Sequence, residues 1–230
     1  MSTIQKLSLA LIGTAVVFMS ANPANAITPK IGGTPSLEDG IFSSVPGVTT
    51  VNFETGAPTS GFAKYSSASG VPTVVSGTSN GQYAAPLGDK HNYLTVSPEN
   101  SNVPGNTGPV TINFERALDY FGLYWGSVDK YNFITFYNGS NLLQSFDSSK
   151  LPGGGNSSQI SPEDNVFVNF FADPGETFDK IVLSSDGVAF ESDNHSYRLA
   201  SVPEPTTTLG LLAFGIMSAG SFVKRKLKLV

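Results

Sequence analysis

Hydrophobic and polar residues alternate in several short stretches between residues 48 and 200. The clearest stretch is residues 110–115, where Val110, Ile112 and Phe114 fall on one face of an extended chain and polar residues fall on the other. Because the side chains of a β-strand point alternately to its two faces, this period of two predicts a strand with one buried face. The same spacing predicts strands at two further sets of apolar residues: Val51 with Phe53, and Val166 with Val168 and Phe170.

Turn-forming residues separate these stretches. Asn138-Gly139 lies between two β-rich runs, and Asn-Gly supplies the positive φ angles that a type I′ hairpin requires. Asp186-Gly187 stands in a similar position further along the chain. The sequence therefore predicts two tight hairpins, one at each dipeptide.

Composition extends this pattern to a fold class. The chain of 230 residues contains 24 Gly and 15 Pro, and only 13% of its residues are charged, which is typical of many short strands joined by turns. We predict an all-β protein, an antiparallel β-sandwich of jelly-roll type at residues 48–200, with a lead-in segment at residues 27–47. Residues 148–164, rich in Gly and Ser, are predicted to form a long loop that is either mobile or caps one end of the sandwich.

The first 26 residues have the layout of a secretory signal peptide. Lys6 precedes a short apolar run, and Ala24-Asn25-Ala26 has the form of a signal peptidase cleavage site. We expect signal peptidase to release a mature chain that begins at Ile27. The alternative is an uncleaved N-terminal anchor.

The last 30 residues contain a second hydrophobic run. Residues 206–223 carry no charge and would span about 27 Å as a helix, close to the hydrocarbon thickness of a bilayer. A basic tail follows at Lys224, Arg225 and Lys226, and such a cluster stays on the cytoplasmic side of the inner membrane. Just before the run, prolines in "VPEP" disfavour helix and keep the backbone extended. The segment is predicted to be a transmembrane helix with the body of the protein outside the inner membrane.

This order of "VPEP", hydrophobic helix and "KRK" at the C-terminus, behind an N-terminal signal peptide, resembles PEP-CTERM proteins. The resemblance implies sorting by an exosortase, a membrane-embedded processing enzyme of bacteria with two membranes that produce exopolysaccharide. It also implies that residues 201–230 are the sorting segment and that the body passes to the cell surface or the extracellular matrix after a transient stay in the inner membrane. The motif itself would consist of four residues: Val202, Pro203, Glu204 and Pro205. A permanent single-span anchor is the alternative.

A second resemblance covers the chain from about residue 48 to its C-terminus. The blocks "FGLYWGSVDKYNFITFYNGSNLL" and "FVNFFADPGETFDKIVLSSDGVAFESDNHSY" are similar to a family of exosortase-dependent surface proteins of unknown activity with a β-domain ahead of the tail. This resemblance implies a fold and a location but no catalytic residues.

Composition and charge exclude several kinds of chemistry. The chain has no cysteine, so disulfides, thiolate zinc sites and cysteine nucleophiles are absent. Residues 27–202 contain eight Lys and Arg against seventeen Asp and Glu, a net charge of −9. Nucleic acids and anionic lipids need a positive surface, so an acidic body argues against both as partners.

Catalytic motifs are weak. Residues 77–81 match G-x-S-x-G, but a proline and a glycine follow where an α/β-hydrolase places a helix, so Ser79 is interpreted as part of a polar turn. His91 and His195 are the two histidines, and they do not have the spacing of a usual zinc site. Acid pairs for glycoside hydrolysis could be drawn from four glutamates, but the sequence gives no separation between them: Glu54, Glu115, Glu163 and Glu191.

Two binding sites are predicted instead. Aromatic residues crowd two neighbouring strands, where exposed rings can stack on sugars, and the predicted glycan contacts are these: Tyr124, Trp125, Tyr131 and Tyr137. Trp125 is also interpreted as a core residue. Glu191 and Asp193, spaced by two, would bind a structural Ca²⁺ together with Glu54 if the first and last strands pair. No cofactor is otherwise required.

These observations favour a non-catalytic exported protein of the cell surface or extracellular matrix whose β-sandwich interacts with exopolysaccharide. An extracellular glycan-directed hydrolase anchored by the same tail is the alternative function. A structural coat protein that binds only itself, or a hydrated matrix component with no specific ligand, also fits the sequence.

Overall fold

A computed structural model of the protein describes residues 26–68, 70–105 and 108–201. Apart from two 3₁₀ turns at Ser148–Lys150 and Pro162–Asp164, the ordered elements of these residues are all β-strands. The strands are β1 (Ile27–Ile31), β2 (Thr34–Pro35), β3 (Ile41–Phe42), β4 (Thr49–Val51), β5 (Ala63–Ser67), β6 (Val74–Ser76), β7 (Asn92–Val96), β8 (Val110–Gly126), β9 (Asn132–Asn138), β10 (Asn141–Phe146), β11 (Val166–Ala172), β12 (Phe178–Ser185) and β13 (Phe190–Leu199).

The 17-residue strand β8 organises the sheet. Its first half pairs with β12 and β5, and its second half pairs with β11 and β13. All of these pairings are antiparallel. The main order is β10-β9-β12-β8-β13-β7-β6, and β1 and β4 extend the sheet through β11 and β13. β2 and β3 form a separate two-stranded ribbon.

Apolar faces of the two halves of the sheet meet in the core. Phe136 on β9 contacts Phe170 on β11 with ring centroids 5.0 Å apart, and it contacts Phe178 on β12 at the same distance. Phe146 on β10 also contacts Phe170, at 5.1 Å. Strands that pair with opposite ends of β8 therefore share one aromatic core.

The predicted alternation is confirmed along the first half of β8, whereas β11 is a strand, as predicted, but is buried on both faces at residues 167–170. Val110, Ile112 and Phe114 are buried, and Asn113 and Glu115 between and beyond them are exposed. The all-β, antiparallel class is likewise confirmed, and the face-to-face halves are compatible with a β-sandwich. The jelly-roll type stays a prediction.

The N-terminal boundary differs from the prediction. Residues 27–47, predicted to be a lead-in segment, contain β1, β2 and β3, and Ile27 is fully buried in the core. β1 pairs with β11 in continuous register from Ile27↔Ala172 to Ile31↔Val168. The sequence of β1 does not show the alternation of a strand, because β1 is only five residues long and contains a proline. Residues 1–25 of the predicted signal peptide and residues 202–230 of the predicted sorting segment lie outside the described residues.

One of the two predicted hairpins is present. β9 and β10 pair antiparallel from Asn138↔Asn141, so the loop is Gly139-Ser140. Gly139 has a φ of +57°, whereas Ser140 does not have a positive φ, so the turn is not of the predicted type I′. The second hairpin was predicted wrongly: β12 and β13 each pair with β8, which lies between them.

The predicted long loop between β10 and β11 is tied to the sheet by two buried polar residues. The Asp164 carboxylate accepts hydrogen bonds from the backbone N–H groups of Asn156 (2.8 Å) and Ser158 (3.1 Å). The Asn165 side chain accepts from the N–H groups of Leu87 and Ser127 at 3.0 and 3.1 Å. These bonds hold the loop beside residues 77–91 at one end of the fold.

Candidate functional site

Glu191 is a buried carboxyl at the start of β13. Its side chain is 3% exposed, and its Oε1 atom accepts a hydrogen bond from the backbone N–H of Ala84 at 2.9 Å. Burial disfavours the charged form and raises the pKa of Glu191 to about 8. A carboxyl group with this pKa is largely protonated at neutral pH.

A cleft of about 220 Å³ opens above Glu191. One wall is the turn at residues 78–84, and the other side is formed by Gln159 and Val188. Most of the lining side chains are polar, and Tyr83 adds a partly exposed aromatic ring. The cleft therefore combines hydrogen-bonding groups, a protonatable carboxyl and an aromatic surface.

Asp129 and Tyr131 lie near Glu191 and next to the lining of the cleft. Asp129 is 2% exposed, and burial, with the nearby charge of Asp164 adding to it, raises its pKa. Its charge also interacts with Glu191. The Tyr131 hydroxyl lies close to the Asp129 carboxyl and 3.4 Å from the carbonyl of Val188. The sequence did not single out Asp129, because its proximity to Glu191 depends on the pairing of distant segments.

The Tyr131 ring is held in place by a glycine. A Cβ atom at Gly187 would lie 2.7 Å from the ring, closer than real Cβ contacts allow. The absence of a side chain at Gly187 therefore lets the Tyr131 ring pack directly on the backbone. Tyr131 is half-buried, so part of the ring remains accessible next to Val188.

The structure corrects two of the four predicted glycan contacts. Trp125 is fully buried and stacks on Phe190 with ring centroids 4.4 Å apart, in agreement with the interpretation of Trp125 as a core residue. Tyr124 is 1% exposed, and its hydroxyl donates to the carbonyl of Leu87. Neither ring can reach a sugar at the surface, because both lie on β8 in the middle of the sheet.

The other two aromatic residues are partly exposed but lie apart. Tyr131 contacts the carbonyl of Val188, a residue that lines the cleft, whereas Tyr137 lies near the end of β9 with the Lys180 ammonium 4.3 Å from its ring centroid. The structure therefore retains Tyr131 as a candidate at the cleft and places Tyr137 on a separate surface.

Ser79, the serine of the G-x-S-x-G sequence, lies in a turn at the cleft wall. Its hydroxyl donates to the Gln82 side-chain oxygen at 2.7 Å. Both histidines have other contacts: His91 lies beside Asp39 and Glu54, and His195 is buried between Tyr65 and Ser192. The turn interpretation of this sequence agrees with these contacts.

The predicted calcium ligands do not meet. Glu54 contacts His91 and the backbone N–H of Asn92, and Glu191 binds Ala84. Asp193 lies against Asp89 instead. Among the described residues, no group of three or more His, Cys, Asp or Glu side chains is arranged to hold a metal ion. The underlying strand pairing is present, since β4 pairs with β13.

The predicted sorting motif and basic tail lie outside the described residues. In the described part of the chain, no helix has the length and apolar character needed to cross a membrane.

Comparison with known proteins identifies the C-terminal segment. No curated protein matches this chain. A solved structure described as "Solution structure, dynamics and binding studies of CtCBM11" aligns with 78% of this chain and 99% of its own, at 14% sequence identity and a TM-score of 0.16. At this TM-score the alignment supports no conclusion about fold or function.

The family model described as the PEP-CTERM protein-sorting motif matches residues 201–226. The matched range contains the four residues predicted as the motif, the hydrophobic run and the basic residues Lys224, Arg225 and Lys226. The chain thus carries the C-terminal PEP-CTERM signal of a protein that an exosortase-type system sorts to the cell surface.

Proposed function

We propose that this is a non-catalytic surface protein whose β-domain binds exopolysaccharide in the cleft above Glu191. The observation that carries the proposal is the cleft itself: a buried carboxyl, a wall of hydroxyl and amide side chains, and the partly exposed ring of Tyr83 in one concave site. Tyr131 adds a second partly exposed ring beside Val188, at the edge of the cleft. Sugars offer many hydroxyl groups and apolar ring faces, and this set of groups matches both.

The size of the cleft defines the ligand further. Its volume of about 220 Å³ is below the range usual for drug-sized ligands. The cleft therefore suits one sugar unit, such as a chain end or a side branch, in contact with Tyr131 or Tyr83. The rest of the polysaccharide would lie outside it in solvent.

The electrostatics of the cleft favour binding over hydrolysis. A glycosidase needs one carboxylic acid and one ionised carboxylate, so its two pKa values lie apart. Here burial raises the pKa of both Glu191 and Asp129. Both shifts have the same direction, so burial raises the pKa of the carboxyl that would have to stay ionised as well as that of the proton donor.

The C-terminal segment indicates how the β-domain would be exported and processed. We infer that signal peptidase releases the chain at Ile27, that the hydrophobic run holds it in the inner membrane, and that the exosortase then removes the tail. The acidic body would reach the cell surface or the matrix without adhering to nucleic acids or anionic lipids, which have the same sign of charge.

Binding of the host's purified exopolysaccharide by the full-length protein tests the proposal. Tyr131→Ala should weaken binding about three- to tenfold, the range expected from loss of one aromatic contact. Tyr137→Ala is the matched control, since Tyr137 is also partly exposed but lies on another surface. Equal binding by wild type and Tyr131→Ala would contradict the assignment of the site.

The same samples separate the competing functions. Release of new reducing ends from the polysaccharide would favour the hydrolase, and loss of that release in Glu191→Gln would assign it to this cleft. Concentration-dependent assembly in the absence of polysaccharide would favour a coat protein instead.

A further inference from the structure

Asp89 and Asp193 form a buried pair of carboxyl groups outside the cleft. Asp89 lies in the loop before β7, and Asp193 lies on β13; they are 6% and 1% exposed. Their side chains are within hydrogen-bond distance of one another. Two acidic residues from distant parts of the chain are thus held together in a place with little access to water.

Each carboxyl group has an oxygen atom without a hydrogen-bond donor. Oδ1 of Asp89 accepts from the backbone N–H of His91 at 2.9 Å, but Oδ2 of Asp89 and Oδ1 of Asp193 have no donor from outside the carboxyl pair. Buried polar atoms almost always have a partner, so two unpartnered oxygens in one carboxyl pair require an explanation.

Asn194 adds a third buried oxygen without a partner in the same region. Its Oδ1 atom has no donor, and its Nδ2 atom donates to the carbonyls of Asp39 and Ile41 at 2.7 and 3.2 Å. Asp39 in turn forms a β-bridge with Asp89. The three oxygens thus belong to neighbouring residues of one packed region.

The positive groups nearest the pair contact other acidic residues, although the charge of His91 also lowers the pKa of Asp89. His91 forms contacts of 3.2 Å with Asp39 and 3.5 Å with Glu54, and Lys90 is paired with Glu38. In the described part of the chain, the ion pairs of Lys and Arg go to acidic residues other than Asp89 and Asp193. Burial raises the pKa of both carboxyl groups, and the charge of Asp89 and its hydrogen bond with Asp193 raise the pKa of Asp193 further. The same hydrogen bond lowers the pKa of Asp89.

Two carboxylates in contact cannot both remain ionised without a bound cation or a shared proton. We propose that Asp89 and Asp193 bind Ca²⁺ or a cation of the same class, with the Asn194 side-chain oxygen as a further ligand. Carboxylate and amide oxygens are ligands that Ca²⁺ accepts in a flexible geometry. Mg²⁺ keeps several of its waters, and a site that is 1% exposed at Asp193 leaves little room for them.

The position of the pair gives the cation a role. Residues 77–91 are attached to β13 at two points, by Ala84 to Glu191 and by Asp89 to Asp193. The first attachment forms the wall of the cleft. A cation at the second would fix the same loop, and, on the basis of the proposed function, it would make sugar binding tighter.

Thermal unfolding of the full-length protein, first treated with EDTA and then titrated with Ca²⁺ at pH 7.5, tests the site. At a Ca²⁺ concentration a hundred times the dissociation constant, the midpoint should rise by about 5 to 10 °C. Mg²⁺ should produce a smaller rise at the same concentration. Asp193→Asn and Asp89→Asn should abolish the Ca²⁺ response.

Two measurements keep the test decisive. Asp→Asn also removes the repulsion between the carboxylates, so both variants should be at least as stable as the wild type in EDTA, which excludes misfolding as the reason for a lost response. Glu191→Gln is the matched control and should retain the response, because Glu191 belongs to the sugar cleft. Equilibrium dialysis should show one Ca²⁺ per chain in the wild type and none in Asp193→Asn.

Absence of bound Ca²⁺ at millimolar concentration would overturn the proposal. So would an equal rise of the midpoint in Asp89→Asn and the wild type. A midpoint that depends on pH but not on Ca²⁺ would show that the pair shares a proton. Loss of sugar binding by Tyr131→Ala with no Ca²⁺ response would retain the proposed function and reject the cation site alone.

Discussion

Trp125 and Tyr131 lie six residues apart but belong to opposite environments. Trp125 is at 0% exposure against Phe190, and Tyr131 is half-buried at the edge of the cleft. Both residues belong to one segment rich in aromatic residues, and both were predicted from the sequence to contact glycan. The difference arises because the second half of β8 pairs with β11 on one side and β13 on the other. Tyr131 lies just before β9, outside the strands.

Replacement of Trp125 by Phe should therefore affect stability and not sugar recognition. The smaller ring leaves space beside Phe190, and the free energy of unfolding should fall by about 1 to 3 kcal/mol. Urea denaturation measures this loss, and the polysaccharide affinity of the remaining folded protein should equal that of the wild type. A specific fall in affinity without a fall in stability would contradict the buried position.

His195 is the second residue with a defined energetic role. Its ring is fully buried; Nδ1 lies 3.1 Å from the Tyr65 hydroxyl and Nε2 lies 2.9 Å from the Ser192 hydroxyl. Burial lowers the pKa of His195 to about 3. The imidazole is thus neutral at physiological pH and serves as a hydrogen-bonding core residue.

Acid should destabilise the protein through His195. Below about pH 6.5 an unfolded histidine binds a proton, but the folded one does so only near pH 3, so the unfolded state gains more protons as the pH falls. Across this window the folding equilibrium constant should fall by up to about tenfold per pH unit. His195→Gln, compared with His91→Gln, should have a shallower acid slope in urea denaturation; equal slopes would contradict the assignment.

The elements differ in how far their positions could be predicted. Val110, Ile112 and Phe114 were placed on the buried face of a strand from their spacing, because one face of that strand is packed and the other is solvated. The pairing of β12 and β13 could not be predicted in the same way. Neighbours in sequence usually pair, but β8 inserts between these two, and a local pattern carries no information about it.

The residues of the candidate sites likewise divide into those that the sequence alone identifies and those that only the fold brings together. Glu191, Asp193 and Tyr131 were identified from sequence because their residue types and spacing suggest chemistry. Asp89 and Asp129 were not, because each becomes significant only when a loop folds against β13. Burial then changes the behaviour of these carboxyls, and burial is a property of the whole fold.

Asn165 links three segments near the cleft. Its Oδ1 atom accepts from Leu87 and Ser127, and its Nδ2 atom donates to the carbonyls of Ser158 and Ser161, both at 2.9 Å. A single side chain therefore satisfies four backbone groups of the loops around β11.

Asn165→Ala should loosen this end of the fold. With four backbone groups losing their partner, we expect a loss of at least about 2 kcal/mol in the free energy of unfolding. Hydrogen exchange at the amides of Leu87 and Ser127 should accelerate in the same variant. Asn156→Ala is the control, since Asn156 is exposed in the same loop and contributes only its backbone N–H to Asp164. Unchanged exchange at both amides would contradict the linking role.

At the scale of the whole molecule, the described β-domain and the sorting motif occupy successive parts of the chain. The last described strand ends at Leu199, and the matched sorting motif begins at residue 201, so every described strand precedes the signal. Such an arrangement would let an exosortase act on the C-terminal segment without unfolding the β-domain. The sorting residues can then be changed without affecting the cleft.

Glu204→Ala tests this separation. The glutamate is the charged residue of the "VPEP" sequence, and its loss should block recognition by the exosortase while the signal peptide still directs export. The intact mass of the protein recovered from the host envelope measures both events. For the wild type we expect a species that starts at Ile27 and ends near Pro203, and for Glu204→Ala a species that starts at Ile27 and continues through the hydrophobic run.

Glu176→Ala is the matched control, because Glu176 is exposed in the β-domain and lies far from the motif in sequence. It should be processed like the wild type. An identical processed mass for Glu204→Ala would argue against recognition of this glutamate. A wild-type mass that extends to Val230 would mean that the hydrophobic run remains as a permanent anchor, so the binding domain would act while attached to the membrane rather than after release to the surface.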